Sequence, residues 1–403
     1  MPTYVIAGAS LAGAKAAETL REEGFDGDIV LLGAELERPY ERPPLSKGYL
    51  LGTQERDSAY VHPGDWYAEH RVELRTGVTV TAIDRAAATV TTSGPAGTET
   101  LRYDRLLLAT GASPRRLTFP GSDRDEVLYL RTIADSERLR AAFRPGTRVA
   151  VAGAGWIGLE TAAAARQADC TVTVLEPQPG ALHAQLGPEL GRVFEGLHRS
   201  HGVEFRFGEA VAEFRRGAIV TTGGAELPAD VLVVGIGAAP NDALAARAGL
   251  EVSNGVLTDA ALRTSDPNIF AAGDVANSFH PLLGRRVRVE HWANALNGGP
   301  AAARSMLDQP VSYDVVPYFF TDQYDLGMEC AGLPEPGRYD QVVYRGDRDG
   351  GEFIAFWLSG GAVVAGMNVN VWDVTDDIQA LIRSRRQVDI SRLTNPDIPL
   401  TDL

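Results

Sequence analysis

Gly153, Gly155 and Gly158 stand in the stretch GAGWIG, between an apolar run at residues 148–152 and an alanine-rich segment that begins at Ile157. Glycines at this spacing, between a strand and a helix, suit one task, the holding of a pyrophosphate. The first allows a tight turn, the second lets the phosphate approach the backbone, and the third lets the helix pack on the strand. The phosphate then meets the positive end of the helix dipole. Glu176 follows 18 residues beyond Gly158, where an acid reaches a ribose hydroxyl. A looser copy comes earlier. GASLAG carries Gly8, Ser10, Ala12 and Gly13, and Glu35 lies 22 residues beyond Gly13. Ser10 holds the middle position; serine is small, and its hydroxyl can bond a phosphate. A glycine motif alone also occurs for packing. Strand, glycines, helix and spaced acid occurring together twice imply two bound dinucleotides.

The next candidates end apolar runs. YDRLLLATGASPR closes on Ala109, Thr110 and Gly111, ADVLVVGIGAAPN turns at Gly237, and NIFAAGDVA carries Gly273 and Asp274. Buried strands that end in glycine turns read as sheet strands whose carboxyl ends line a crevice. An acid after such a strand, as at Asp274, is placed to accept hydrogen bonds from a ligand. Lysine is also informative, because the chain has only Lys15 and Lys47. Where arginine is so strongly favoured, a surviving lysine suggests a place for a compact ammonium that a forked guanidinium cannot fill. Lys47 sits in YERPPLSKGYL, where the double proline stiffens the backbone and LSK is expected to begin a helix; Lys15 reads as an exposed position on the first helix.

These residues need elements to hold them. The first glycine turn is expected between a strand at 4–7 and a helix at about 11–23, with a second strand at 29–32. The second lies between a strand at 148–152 and a helix at about 157–168, with a strand at 171–175. Each is a βαβ unit. Residues 352–372 read as two strands joined by a turn at Ser359, Gly360 and Gly361. DVTDDIQALIRSRRQ reads as a helix with acids at its start and arginines at its end, both matching the dipole. This last part reads as a separate α+β module.

Composition narrows the function. A formal net charge of −15 disfavours nucleic acid or an anionic membrane as a general partner. No run of 18 apolar residues occurs, so no membrane span is expected. The apolar start is interrupted by Lys15 and reads as strand and helix rather than as a signal peptide. Cys170 and Cys330 are the only cysteines, which excludes a disulfide framework, a protein-ligated iron–sulfur cluster and a CxxC pair. The cytoplasm is the expected compartment, and no metal is required.

With these motifs in hand, the sequence resembles the FAD-dependent ferredoxin reductases that serve oxygenase systems, the putidaredoxin reductase type. The segments that carry the resemblance are GASLAG, RPYERPPLSKGYL, LLLATGASPR, LRTIADSERLR, GAGWIGLE, GIGAAPN, IFAAGDVA, VEHWANA and PYFFTDQYDL, covering nearly the whole chain in the family order. The resemblance implies FAD at the first turn and NADH at the second. Gly8, Ser10, Ala12 and Gly13 would form the FAD pyrophosphate turn, and Glu35 would bind the adenosine ribose. Arg42 and Lys47 would hold FAD, with Val80 near the adenine. Ala109, Thr110, Gly111 and Arg131 would flank the cofactor. Gly273 and Asp274 would meet the ribityl chain, and Trp292 would lie near the flavin ring. Gly153, Gly155, Ile157, Gly158, Glu176 and Gly237 would serve NADH. Lys47 would pair with Glu160 beside flavin and nicotinamide as the catalytic pair. Relatives of this type usually have arginine where this chain has Gly180, and often tryptophan where it has Phe320.

The expected fold is α/β, with two Rossmann-like dinucleotide-binding domains and a C-terminal α+β domain. The FAD domain would span 1–112 and 244–314, the NAD domain 113–243 and the C-terminal domain 315–403. The resemblance implies a flavoprotein that takes hydride from NADH onto FAD and passes single electrons to a 2Fe–2S ferredoxin serving an oxygenase such as a cytochrome P450. It would be a monomer or weak homodimer. Rivals are a rubredoxin reductase, another NADH-dependent flavin oxidoreductase, and a FAD-binding signalling module with little turnover. NADH oxidases, peroxidases and disulfide reductases usually need a redox cysteine just after the second strand. None lies between Leu32 and Leu51, where Ser46 and Lys47 stand instead.

Overall fold

Tyr4, Val5, Ile6 and Ala7 are all buried, as expected of a strand covered on both faces. In the computed structural model, which describes residues 1–403, strand Thr3–Ala7 lies near the middle of a five-stranded parallel sheet. Its order is Ile269–Ala271, Arg105–Leu108, Thr3–Ala7, Asp28–Gly33, Val72–Thr76. The period of two sorts the side chains. Tyr4 and Ile6 join a core with Ala16, Leu20 and Met306, while Val5 and Ala7 join another with Val90, Leu244 and Val275. Helices Leu11–Glu22 and Trp292–Met306 cover the first face. They approach so closely that a Cβ on Gly299 would lie 2.3 Å from the Ala12 carbonyl oxygen.

A second parallel sheet repeats the plan, with order Val203–Phe207, Thr171–Glu176, Arg148–Ala152, Val231–Val234, Val127–Leu128. Val149 and Val151 face one core; Ala150 and Ala152 face another. The chain divides into two units. The first comprises 1–41, 56–113 and 239–317; the second comprises 42–55, 114–238 and 318–403.

The C-terminal residues form a five-stranded antiparallel sheet of order Tyr318–Gln323, Leu326–Gly332, Ala362–Val369, Glu352–Ser359, Gln341–Asp347. Phe353, Trp357 and Met367 share one core with Leu159, Ala162 and Phe194 of the second unit. Helix Thr375–Ser384 packs on this sheet through Ile378, whose Cγ2 would be 2.5 Å from a Cβ on Gly366. It carries Asp376 and Asp377 in its first turn and Arg383 in its last. It ends sooner than its sequence suggests, because Arg385 adopts φ 51° and Gln387 bridges back to Ala362. The double proline gives a 3-10 turn, Pro43–Ser46, followed by a one-turn helix, Gly48–Leu51. No helix is long and apolar enough to cross a membrane.

Candidate dinucleotide sites and a buried lysine–glutamate pair

Both glycine turns join the carboxyl end of a central parallel strand to a helix. Gly153 has φ +102°, and a Cβ there would sit 2.5 Å from the Gly235 carbonyl oxygen. Gly8 has φ +130°, and its Cβ would meet the Ala109 oxygen at 2.1 Å. No other residue fits either position. The last glycines of the two turns are fixed by packing. A Cβ on Gly13 would fall 2.0 Å from the Gly8 oxygen, and one on Gly158 2.1 Å from the Gly153 oxygen.

The middle positions differ. Around Gly155 the nearest atoms to a Cβ are 3.9 Å away, and its φ of −81° suits any residue. The protein itself does not require glycine there, since a Cβ would make only ordinary van der Waals contacts, and a bare backbone at a helix N-terminus fits an approaching phosphate. Ser10 is the N-cap of helix Leu11–Glu22 but makes no side-chain cap hydrogen bond, so its hydroxyl is not spent on the helix. Ile157, in the first helical turn, is 42% exposed, unusual for its type. The residues present therefore fit a dinucleotide at each turn.

The two acids are set beside their turns. Glu176 ends its strand; its Oε2 accepts from the Ala154 N–H at 2.8 Å and its Oε1 from the Gln178 N–H at 2.8 Å. Glu35 lies just past the strand Asp28–Gly33 and accepts a hydrogen bond from the Tyr40 hydroxyl. In the first unit, Thr110 Oγ1 donates to the Asn241 carbonyl at 2.9 Å, Asn241 Nδ2 donates to the Thr110 carbonyl at 2.8 Å, and the Asn241 N–H reaches the Gly111 oxygen at 2.9 Å. Asp274 lies in the 3-10 turn Gly273–Val275, and its charge faces His291, whose pKa burial lowers to about 4. Trp292 begins its helix, and its indole faces Glu41, whose carboxyl is pushed up by burial and held back by the indole N–H. Val80 sits at a β-bulge in strand Thr79–Asp84. The first unit thus holds Gly8, Ser10, Ala12, Gly13, Glu35, Val80, Ala109, Thr110, Gly111, Gly273, Asp274 and Trp292.

Arg42, Lys47, Arg131 and Glu160 fall in the second unit with the other turn and with Gly237, which has φ +94° and accepts from the Arg115 N–H at 2.9 Å. An Arg42 guanidinium nitrogen donates to the Arg131 carbonyl. Lys47 Nζ lies 2.8 Å from Glu160 Oε1, with 17% and 5% of the two side chains exposed. Ser46 Oγ donates to the other oxygen of Glu160, and Thr321 Oγ1 donates to Oε1 at 2.6 Å. The ammonium lies 5.5 Å from the centre of the Phe320 ring. Sequence reasoning paired Lys47 with Glu160 but missed Thr321. No local motif marks it, and only the strand placing residue 321 against the helix Trp156–Gln167 reveals it.

A family model described as pyridine nucleotide-disulphide oxidoreductase matches residues 2–299, and one described as reductase C-terminal matches 318–403. The chain belongs to the pyridine nucleotide-disulphide oxidoreductase family. It is 42% identical over 402 residues to the ferredoxin–NAD(+) reductase component of the anthranilate 1,2-dioxygenase system of Burkholderia cepacia, covering 98% of each chain. It is 36% identical to putidaredoxin reductase of Pseudomonas putida, covering 99% of this chain and 96% of that one. A chain in the crystal structure of the covalent putidaredoxin reductase–putidaredoxin complex superposes with a TM-score of 0.95 at 36% identity, covering 100% of this chain and 97% of that one. The disulphide chemistry in the name of the pyridine nucleotide-disulphide oxidoreductase family has no counterpart here. Cys170 and Cys330 are free and buried, and burial pushes both thiols up.

Proposed function

We propose that this chain is a FAD-dependent NADH:ferredoxin reductase that serves an oxygenase, such as a cytochrome P450, through a 2Fe–2S ferredoxin. The observation that carries the reading is the pairing of two complete dinucleotide turns with a buried Lys47–Glu160 pair, in a stretch without cysteine. Two nucleotides in one chain suit transfer between them. Without a cysteine, that transfer has no disulfide to end on, and an external acceptor must take the electrons. The proposed domains are 1–112 with 244–314 for FAD, 113–243 for NADH and 315–403 at the C-terminus. The reading places the chain in the cytoplasm, as a monomer or weak homodimer.

FAD, when bound, supplies the change from a two-electron donor to one-electron acceptors. The residues of this chain bind and orient. The turns Gly8–Gly13 and Gly153–Gly158 would each offer the open N–H groups of a helix start to a pyrophosphate, with Ser10 and Gly155 at the N-caps and Gly13 and Gly158 in the first turns. Gly8 and Gly153 make the bend and donate their own N–H groups to the Leu32 and Leu175 carbonyls at 2.8 Å. Glu35 and Glu176 would accept from ribose hydroxyls. Asp274 would accept from the ribityl chain, and Trp292 would lie near the ring. The Lys47 ammonium lies 2.8 Å from the Glu160 carboxylate, which fixes a positive charge on a short tether. Arg42, tied to the Arg131 carbonyl, adds a second. The single experiment is NADH-driven turnover of the purified FAD-loaded protein across a panel of 2Fe–2S ferredoxins, with a rubredoxin alongside. Reduction of at least one ferredoxin faster than rubredoxin is expected. Bound FAD with negligible turnover of every protein acceptor would mark a signalling module instead.

A further inference from the structure

Thr321, which donates to Glu160 Oε1 at 2.6 Å, ends a chain of buried donors. Gln323 Nε2 donates to Thr321 Oγ1 at 3.1 Å, and His198 Nε2 meets Gln323 Oε1 at 2.7 Å. Thr321 and Gln323 are 1% exposed and His198 is wholly buried. Residues 321 and 323 share one face of strand Tyr318–Gln323, as every second residue must. His198 comes from the last turn of helix His183–Ser200.

The carboxylate end sets the direction of every proton. Glu160, bound to the Lys47 ammonium, only accepts, so the Thr321 hydroxyl proton points to it. Thr321 Oγ1 must then accept from Gln323, whose amide nitrogen faces it. The Gln323 carbonyl oxygen is left to face the imidazole, and His198 carries its proton on Nε2. Burial, which lowers the His198 pKa to about 4, keeps the ring in that neutral form. Reversing any one link leaves a buried group unpaired, which is costly. At the far end, His198 Nδ1 is buried with no hydrogen-bond partner. An apolar side chain would avoid that cost, so the value of the chain lies at its Glu160 end.

We propose that Thr321, oriented by Gln323 and His198, is a positioning residue that fixes the Glu160 carboxylate and, through it, the Lys47 ammonium. The inference rests on the reading of Lys47 and Glu160 as part of the FAD–NADH site. Thr321→Val keeps the shape and removes the donor; Thr321→Ser keeps the donor.

Two measurements test it on the FAD-loaded protein. One is the anaerobic rate of FAD reduction by NADH. The other is the NMR signal of 13Cε-labelled lysine, which in this chain has only two sources, Lys15 and Lys47. Thr321→Val should slow reduction about tenfold, with Thr321→Ser within about twofold of the unsubstituted protein. The Lys47 signal should shift and sharpen in Thr321→Val while the Lys15 signal stays. Adding Thr321→Val to Lys47→Ala should cost nothing further. If Thr321→Val does not fold, Gln323→Leu is judged on the same two readouts, with about threefold slowing expected. Normal reduction and an unmoved Lys47 signal in the folded variant, beside a slow Lys47→Ala, would overturn the positioning role and leave the site reading intact. A Lys47→Ala protein that reduces its FAD at full rate would remove that reading and this inference with it.

Discussion

Glu176 reaches back from the end of its strand to the Ala154 N–H, 2.8 Å away inside the second glycine turn. The bond fixes the carboxylate at that turn, and in the proposed reading its remaining lone pairs accept from ribose hydroxyls. A 2′-phosphate would meet a fixed negative charge there, and no arginine follows within EPQPGAL to offset it. NADH should therefore be preferred over NADPH by at least roughly tenfold in kcat/KM, about 1.4 kcal/mol. Steady-state kinetics with both donors check this, and equal values would defeat it.

The Lys47 ammonium is the one cation that Glu160 faces within ion-pair distance. Its removal leaves a carboxylate 5% exposed and held only by the Ser46 and Thr321 hydroxyls. Breaking a buried pair by removing one partner typically costs about 3–5 kcal/mol. Lys47→Ala should lose FAD or slow its reduction. Lys47→Arg should rescue only in part, because a planar guanidinium does not occupy the place of a compact ammonium. FAD content by absorbance and stopped-flow reduction measure the two effects. A fully yellow, fully active Lys47→Ala protein would assign the lysine to the surface.

Acid should destabilise the fold before most carboxylates titrate. His198 and His291 are held neutral by burial, with pKa values lowered to about 4. In the unfolded chain a histidine takes up its proton near pH 6.5. Between about pH 6.5 and 4 the unfolded chain binds more protons, so stability falls as pH falls; above that window the two rings contribute no slope. Glu41 and Asp322, whose carboxyls are pushed up chiefly by desolvation, work in the opposite sense over a window that opens upward from the ordinary carboxyl range at about pH 4 and so overlaps this one. A variant therefore isolates the effect. Urea unfolding of His198→Phe should show a slope of stability against pH shallower by about one proton across this window. An unchanged slope would mean that His198 is protonated in the folded protein.

The sheets and both glycine turns were legible because they follow local rules. Val149 to Ala152 are buried on both faces and apolar throughout, Gly8 and Gly153 need backbone angles that other residues avoid, and the acids stand at a fixed chain distance. Glu160 and Lys47 were legible as a pair only through the family resemblance, since they lie 113 positions apart. Thr321, Gln323 and His198 were not legible at all. Each is an ordinary polar residue whose role exists only once the strand Tyr318–Gln323 and the helix His183–Ser200 meet near Glu160.

The arginines at the end of helix Thr375–Ser384 offer one place to seek a ferredoxin. The chain carries a net charge of −15, and an acidic ferredoxin would be repelled unless some local region is positive. Arg286 donates to the Asn277 carbonyl, and Arg288 pairs with Glu290 and donates to the Asp274 carbonyl at 3.3 Å, so these arginines brace their own unit. Arg383, Arg385 and Arg386 lie exposed at the end of helix Thr375–Ser384, where their charges also meet the negative pole of the helix. Charges at an interface rim act mostly on encounter rate and are screened beyond about 8 Å at physiological salt. Reversing Arg383, Arg385 and Arg386 to Glu should raise the KM for ferredoxin, most clearly at low salt. NADH reduction of a small dye such as ferricyanide should stay nearly unchanged. A parallel fall in both activities would assign the cluster to the fold, and no change in either would move the docking face elsewhere.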